Sequence, residues 1–158
     1  MTIRVVVVGK AKGILEPAIR DFESRAGRYW KLEVTEVEAG AGGGPQDPAR
    51  VREVEARRIR DRLPTRGEVW VLTREGRGMS SGDLARELGD RALAGSPGVA
   101  FVIGGAFGVD PEIAGRADRA LSLSRMTLPH SAARLILAEQ LYRAGTILRG
   151  EPYHKGGE

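Results

Sequence analysis

Two nearly continuous apolar runs, Ile3 to Val8 with Arg4 as its one break and Gly98 to Ile103, constrain the fold of this chain more than any other feature. A strand with one wet face alternates apolar and polar residues, so a run apolar at nearly every position belongs to a strand covered on both faces, the signature of a parallel sheet. Around these runs the periodicity changes to that of amphipathic helices. Ile14 to Trp30 places Leu15, Ala18, Ile19, Phe22, Ala26 and Tyr29 on one stripe. Leu32 to Val37 alternates imperfectly and predicts an edge strand. Asp47-Pro48 signals a helix start, followed by apolar Val51, Val54, Ile59 and Leu63 up to Pro64. Glu68 to Leu72 predicts a strand, Thr73 to Ser81 a polar turn, and Ser80 with Asp83 a capping box that opens a helix through Ala94. Asp110-Pro111 opens a short helix, and Ala120 to Leu123 predicts the last strand. With Ser131 as cap, Leu135, Leu137, Ala138, Leu141, Tyr142, Ala144 and Leu148 then recur at helical spacing until Gly150. This succession predicts one α/β domain over residues 1–158 on an open, mainly parallel sheet of about five strands.

In such sheets ligands lie beyond the carboxyl ends of the strands. Three loops converge there: the one after Leu72, the one at Gly104 to Gly108, and the one at Ser124 to His130. Gly104 and Gly105 would let a ligand approach backbone amides with no Cβ in the way, although a Gly-Gly pair after a strand also simply makes a tight turn. A Rossmann dinucleotide site fits poorly, because the glycines do not follow G-x-G-x-x-G and no acidic residue ends the following strand. The glycine run at Gly40 to Gly44 lacks the Gly-Lys-Ser/Thr ending of a P-loop and reads as a linker.

The chain has no cysteine, which excludes disulfides, a thiolate nucleophile and a Cys-ligated zinc site. With only His130 and His154, no metal site is expected. No apolar run approaches the roughly 20 residues that span a bilayer, and the N-terminus lacks a cleavage site, so a cytoplasmic protein without membrane contact is expected. The net charge is +4, and the surplus is uneven: residues 1–67 carry 14 Lys and Arg against 10 Asp and Glu, the remainder 11 of each. A basic N-terminal part suits a polyanionic partner. Arg50, Arg52, Arg57, Arg58, Arg60 and Arg62 on one predicted helix form either a solvated face with local Glu to Arg pairs or a phosphate-contacting surface.

Four ordered segments, Val99 to Gly105, Ser122 to His130 (Ser-Leu-Ser-Arg-Met-Thr-Leu-Pro-His), Ala138 to Ala144 and Gly150 to Lys155, together resemble the RlmH family. These are SPOUT-class methyltransferases that modify N3 of a pseudouridine in large-subunit (23S) ribosomal RNA. Val8 to Lys12 and the strand at Glu33 to Glu38 are similar to it as well, so the resemblance spans nearly the whole chain. It implies a C-terminal segment threaded as a trefoil knot, an α/β knot that pattern reading does not propose. S-adenosylmethionine bound in the knot and a homodimer are implied with it.

Carried onto this sequence, the resemblance places cofactor contacts at Leu72, Gly104, Gly105, Leu123, Ser124, Arg125, Met126, Thr127 and Leu128, with Leu72, Leu123, Met126 and Leu128 as apolar walls. An imide nitrogen must lose its proton to attack a methyl group, and a base with a pKa near neutrality serves best. His154 is the candidate, with Tyr153 holding the target base and Lys155 or Arg143 neutralising RNA phosphate. His130 is expected to be structural. From residues alone, the tail after Leu148 reads as a frayed end as readily as a placed one. Two other classes stay open at this point: a non-catalytic, ribosome-associated RNA-binding protein of the same fold, and an α/β enzyme acting on a small molecule.

Overall fold

A computed structural model describes residues 1–155; the side chain of His154 and residues 156–158 lie outside the described residues. Five strands, β1 (Thr2–Val8), β2 (Lys31–Val37), β3 (Glu68–Arg77), β4 (Gly98–Ile103) and β5 (Arg119–Leu121), form one sheet in the order β2-β1-β4-β3-β5. Every pairing is parallel. The two apolar runs are the central neighbours β1 and β4, paired from Thr2 opposite Gly98 to Val7 opposite Ile103, with Arg4 the one charged residue among them. The imperfectly alternating β2 is an edge, as its sequence predicts.

Period-two alternation divides each central strand between two cores. Ile3, Val5, Val7, Val99, Phe101 and Ile103 face one side, together with Leu84 and Leu88 of α3 (Ser81–Leu93) and Leu137 and Leu141 of α5 (His130–Leu148). The helix α1 (Glu16–Ala26) covers the same face. Val6, Val8 and Val102 face the other side, against Ala56 and Ile59 of α2 (Pro48–Arg60) and Ile113 of α4 (Pro111–Arg116). Each fully buried aliphatic or aromatic side chain contributes about 1.5–3 kcal/mol, so a double-sided sheet needs no staple. Phe101 and Trp70 meet edge to face with centroids 5.4 Å apart, and Phe101→Ala would cost about 3–5 kcal/mol.

Local signals place the helix starts. Asp47 accepts from Ala49 N and Asp110 from Glu112 N, each before a proline, and Ser80 and Asp83 form the reciprocal capping box. Three boundaries differ from expectation. β3 continues to Arg77 through the segment read as a turn, because its tail pairs with Leu121 of β5 and leaves no room for a Cβ at Gly76, which would lie 2.7 Å from the Ala120 backbone. β5 is correspondingly short and ends at Leu121. α5 starts at His130 with Pro129 as its N-cap, not at Ser131, and no side chain caps it. The link from β5 to α5 crosses against the tail of β3, where Ser122 N donates to Arg77 O at 3.0 Å and Ser122 Oγ to Arg74 O at 3.2 Å.

Candidate active site

The three loops converge as their positions after parallel strands require. A cleft of about 920 Å³ is lined by Leu72, Thr73 and Arg74 of β3, Gly104 to Val109 after β4, Leu123, Ser124 and Met126 to Pro129, and His130 and Ala133 of α5. Of the expected cofactor residues, Leu72, Gly104, Gly105, Leu123, Ser124, Met126, Thr127 and Leu128 line it. Arg125 does not, and is exposed. Leu72, Leu123 and Leu128 are half-buried walls, whereas Met126 is 77% exposed at the mouth.

The loop after β5 is held in shape by its own polar groups. Ser124 Oγ accepts from Met126 N at 2.9 Å, Ser122 Oγ bonds Ser124 O at 2.9 Å, and Arg74 Nη1 donates to Thr127 Oγ1 at 2.8 Å. Each hydroxyl that alternation put beside a leucine therefore fixes backbone, leaving the leucines for the cleft. Thr73 and Arg74 belong to the segment expected to converge here after Leu72, and they reach the cleft as part of the extended β3. Arg52 of α2 also reaches the cleft, donating to Phe107 O at 3.4 Å.

Of the two readings of the Gly-Gly pair, the packing at the cleft favours the tight turn. A Cβ on Gly104 would lie 2.7 Å from Val109 Cγ2 and 2.9 Å from Gly108 C, and one on Gly105 would lie 2.9 Å from both Val8 Cγ1 and Glu55 Oε1. Both positions point into protein, so glycine is needed for the tight packing of the turn and not to open a path for a ligand. Gly9, with φ +90°, brings β1's end against His130, whose Nε2 would stand 2.9 Å from an added Cβ. His130 thus packs on backbone, as a structural role predicts, and lines the cleft as well. The uncapped first turn of α5 opens there too, so its unpaired N–H groups and the positive end of a 19-residue helix favour an anionic group.

The tail is placed, but elsewhere. Pro152–His154 forms a 3-10 turn docked on the far half of α5. Tyr153 lies with its ring centroid 4.5 Å from that of Tyr142, its hydroxyl donates to Glu139 Oε1 at 3.1 Å, and Arg143 stacks over it at 5.0 Å. Burial first, then Glu139, pushes the Tyr153 phenol above its ordinary pKa, so it remains a hydrogen-bond donor. Arg143 is bound by Glu139 at 2.6 Å, and Lys155 is exposed. The catalytic expectation for His154 concerns a side chain outside the described residues. From His130 to Glu139 the helix rises about 14 Å. Within one chain, therefore, the structure brings eight of the nine residues expected at the cofactor together and does not place Tyr153, Arg143 or Lys155 among the cleft residues.

Most of the arginine-rich helix is engaged internally: Arg57 with Glu53 at 2.8 Å, Arg60 with Glu112 at 2.6 Å, and Arg58 on the carbonyls of Glu38 and Gly40. Among the described residues, no group of three or more His, Cys, Asp and Glu could hold a metal ion, and no helix is long and apolar enough to cross a membrane. The cleft's size is that of a pocket for a small organic molecule, with apolar walls for a ring and thioether, backbone groups at their edges and a helix N-terminus for a carboxylate. The donor set fits S-adenosylmethionine.

Residues 1–154 match the family model described as "Predicted SPOUT methyltransferase". A protein named Ribosomal RNA large subunit methyltransferase H from Gemmatimonas aurantiaca is 47% identical over 98% of this chain and its own full length. Proteins of the same name from Clostridioides difficile and Acetivibrio thermocellus are 41% and 43% identical, again over 98% of this chain and the whole of each relative. A solved structure of a "probable methylase family protein" from Haemophilus influenzae Rd KW20 superposes with a TM-score of 0.53 at 12% identity, over 99% of this chain and 71% of that one, a likeness of fold.

Proposed function

The chain belongs to the SPOUT methyltransferase family, and from that premise we propose that it methylates large-subunit (23S) ribosomal RNA at N3 of a pseudouridine, with S-adenosylmethionine as methyl donor. The observation that carries the reading is the convergence of eight of the nine expected cofactor residues on one cleft at the carboxyl ends of β3 and β4. The relatives' shared name supplies the class of substrate.

Leu72, Leu123 and Leu128 hold the cofactor's apolar parts, backbone groups of Gly104 to Gly108 and Ser124 to Leu128 its polar edges, and the first turn of α5 its carboxylate. When bound, S-adenosylmethionine supplies an electrophilic methyl group. Tyr153 stacks on or hydrogen-bonds the target base and holds it in place, in the latter case releasing Glu139. His154 takes the imide proton from N3, and the freed nitrogen lone pair takes the methyl group. Arg143 and Lys155 neutralise RNA phosphate.

The separation of tail and cleft within one chain supports a homodimer, in which the tail of one protomer completes the cleft of the other. The α1 and α5 surface suits such a contact: Phe22, Tyr29, Tyr142 and Tyr153 form a half-buried aromatic row with centroid distances of 4.5–6.1 Å, flanked by Arg25 and Arg149. The fold is read as one domain over residues 1–158, with the β5 to α5 link threaded as a trefoil knot past the tail of β3, in the cytoplasm.

The test is transfer of labelled methyl from S-adenosylmethionine to intact ribosomes and to naked RNA, with the modified nucleoside identified by mass. Isothermal titration of the cofactor accompanies it. Methylated pseudouridine is expected; cofactor binding without transfer to any ribosomal particle would overturn the reading.

A further inference from the structure

Glu55 is a carboxylate that the fold does not account for. It projects from α2 into the second core among Val51, Ala56 and Ile59, and only 3% of it is exposed. Oε2 accepts from Gly40 N at 2.9 Å, whereas Oε1 is shielded from solvent and accepts from no described residue. Among the described residues no cation is paired with it; Arg58, one turn on along α2, is spent on the carbonyls of Glu38 and Gly40. An apolar side chain beside Val8 would avoid the penalty of burying a charge with a single neutral donor.

Both oxygens face the cofactor wall from behind. A Cβ on Gly105 would stand 2.9 Å from Oε1 and 3.0 Å from Oε2, so the Gly105 backbone rests directly on the carboxylate. That backbone opens the turn closed by Gly108 N on Gly105 O at 3.1 Å, one wall of the cleft. A free, solvent-shielded acceptor pressed against backbone is satisfied by a small movement of that backbone, because every residue of the turn carries an N–H donor. We propose that Glu55 is a positioning residue for this wall: Oε1 takes a backbone N–H of the Gly104–Ala106 turn as the turn closes on the cofactor, while Oε2 keeps hold of Gly40. The proposal rests on the assignment of the cleft to S-adenosylmethionine. It makes occupancy of the cleft tighten the start of the glycine-rich segment, since a carboxylate fixed at one oxygen holds its second partner more firmly.

A contact made only as the turn closes on the cofactor contributes to affinity and not to the stability of the open turn. Glu55→Gln keeps the shape and removes the buried charge. Its melting temperature without cofactor should equal or exceed that of the wild type, while its dissociation constant for S-adenosylmethionine by isothermal titration should rise about tenfold or more, as for a lost hydrogen bond to a charged acceptor. A lower melting temperature with unchanged affinity would mean a structural carboxylate and would overturn the proposal. Wild-type protein that binds no S-adenosylmethionine overturns the assignment of the cleft, and this inference with it. Wild-type binding with unchanged Glu55→Gln affinity overturns this inference alone. Should the variant not fold, amide hydrogen exchange on the wild type decides: Gly40 does not line the cleft, yet its amide should exchange more slowly when S-adenosylmethionine is added. An unchanged Gly40 rate refutes the coupling.

Discussion

The guanidinium of Arg134 donates through Nη1 to Glu36 Oε2 at 2.6 Å, from a side chain only 2% exposed. The same oxygen accepts from Ala11 N at 2.8 Å, and Arg134 Nε and Nη2 go to Glu23 at 2.6 and 3.2 Å. One buried guanidinium thus ties the first turns of α5, which open on the cleft, to α1, β2 and the segment after β1.

Removing that guanidinium leaves two carboxylates facing each other in a poorly solvated site. Arg134→Met is expected to cost about 3–5 kcal/mol, the range for breaking a buried pair by deleting one partner. Urea unfolding checks it, and a loss below about 1 kcal/mol, the scale of an exposed pair, would contradict it.

The same pair sets an acid limit. Burial pushes the Glu36 carboxyl up, but the hydrogen bonds from Arg134 and Ala11 outweigh it and hold the group below its ordinary pKa. A carboxyl whose folded pKa lies below the unfolded one adds stability above the unfolded value, about 4.3, and loses it as pH falls through the folded value. Unfolding midpoints measured from about pH 6 downward should therefore fall more steeply in the wild type than in Glu36→Gln below about pH 4.3. Parallel curves would contradict the assignment.

Gly104→Ala should damage fold and cleft together. The added Cβ meets Val109 Cγ2 at 2.7 Å and Gly108 C at 2.9 Å, and the backbone on one side cannot yield cheaply. A loss of about 1–3 kcal/mol is expected, as for overpacking, with weaker S-adenosylmethionine binding. Full stability in a thermal melt would show that the turn has slack.

Truncation after Pro152 should leave cofactor affinity nearly unchanged, since no tail residue among the described ones lines the cleft. Methyl transfer to ribosomes should collapse, and His154→Ala alone should lower the rate by about two to four orders of magnitude if the imidazole is the base. A loss confined to apparent substrate affinity would instead mark the tail as an RNA contact. Full activity after truncation would withdraw the catalytic assignment.

Much of the fold was legible because local rules and global packing agree. The apolar runs of β1 and β4 could be nothing but doubly covered strands, and Asp47, Ser80 and Asp110 cap the helices where their side chains predicted. The boundaries that were misread depend on partners distant in sequence. Thr73 to Arg77 is polar and glycine-bearing, so only its pairing with Leu121 makes it strand. Ser131 has the side chain of a cap, but the chain enters α5 from Pro129 and passes it by.

The candidate site divides the same way. The sequence by itself determined which segments meet at the cleft, because a parallel sheet brings the stretches after Leu72, Ile103 and Leu121 to one end, and the resemblance to the RlmH family named the wall residues within them. Only the tertiary structure decided that Arg134 joins Glu23 and Glu36, that Gly105 packs against Glu55, and that the tail docks away from the cleft. Those relationships join residues as many as 111 positions apart, and hydrophobic periodicity, a local property, carries no information about which buried charge will meet which.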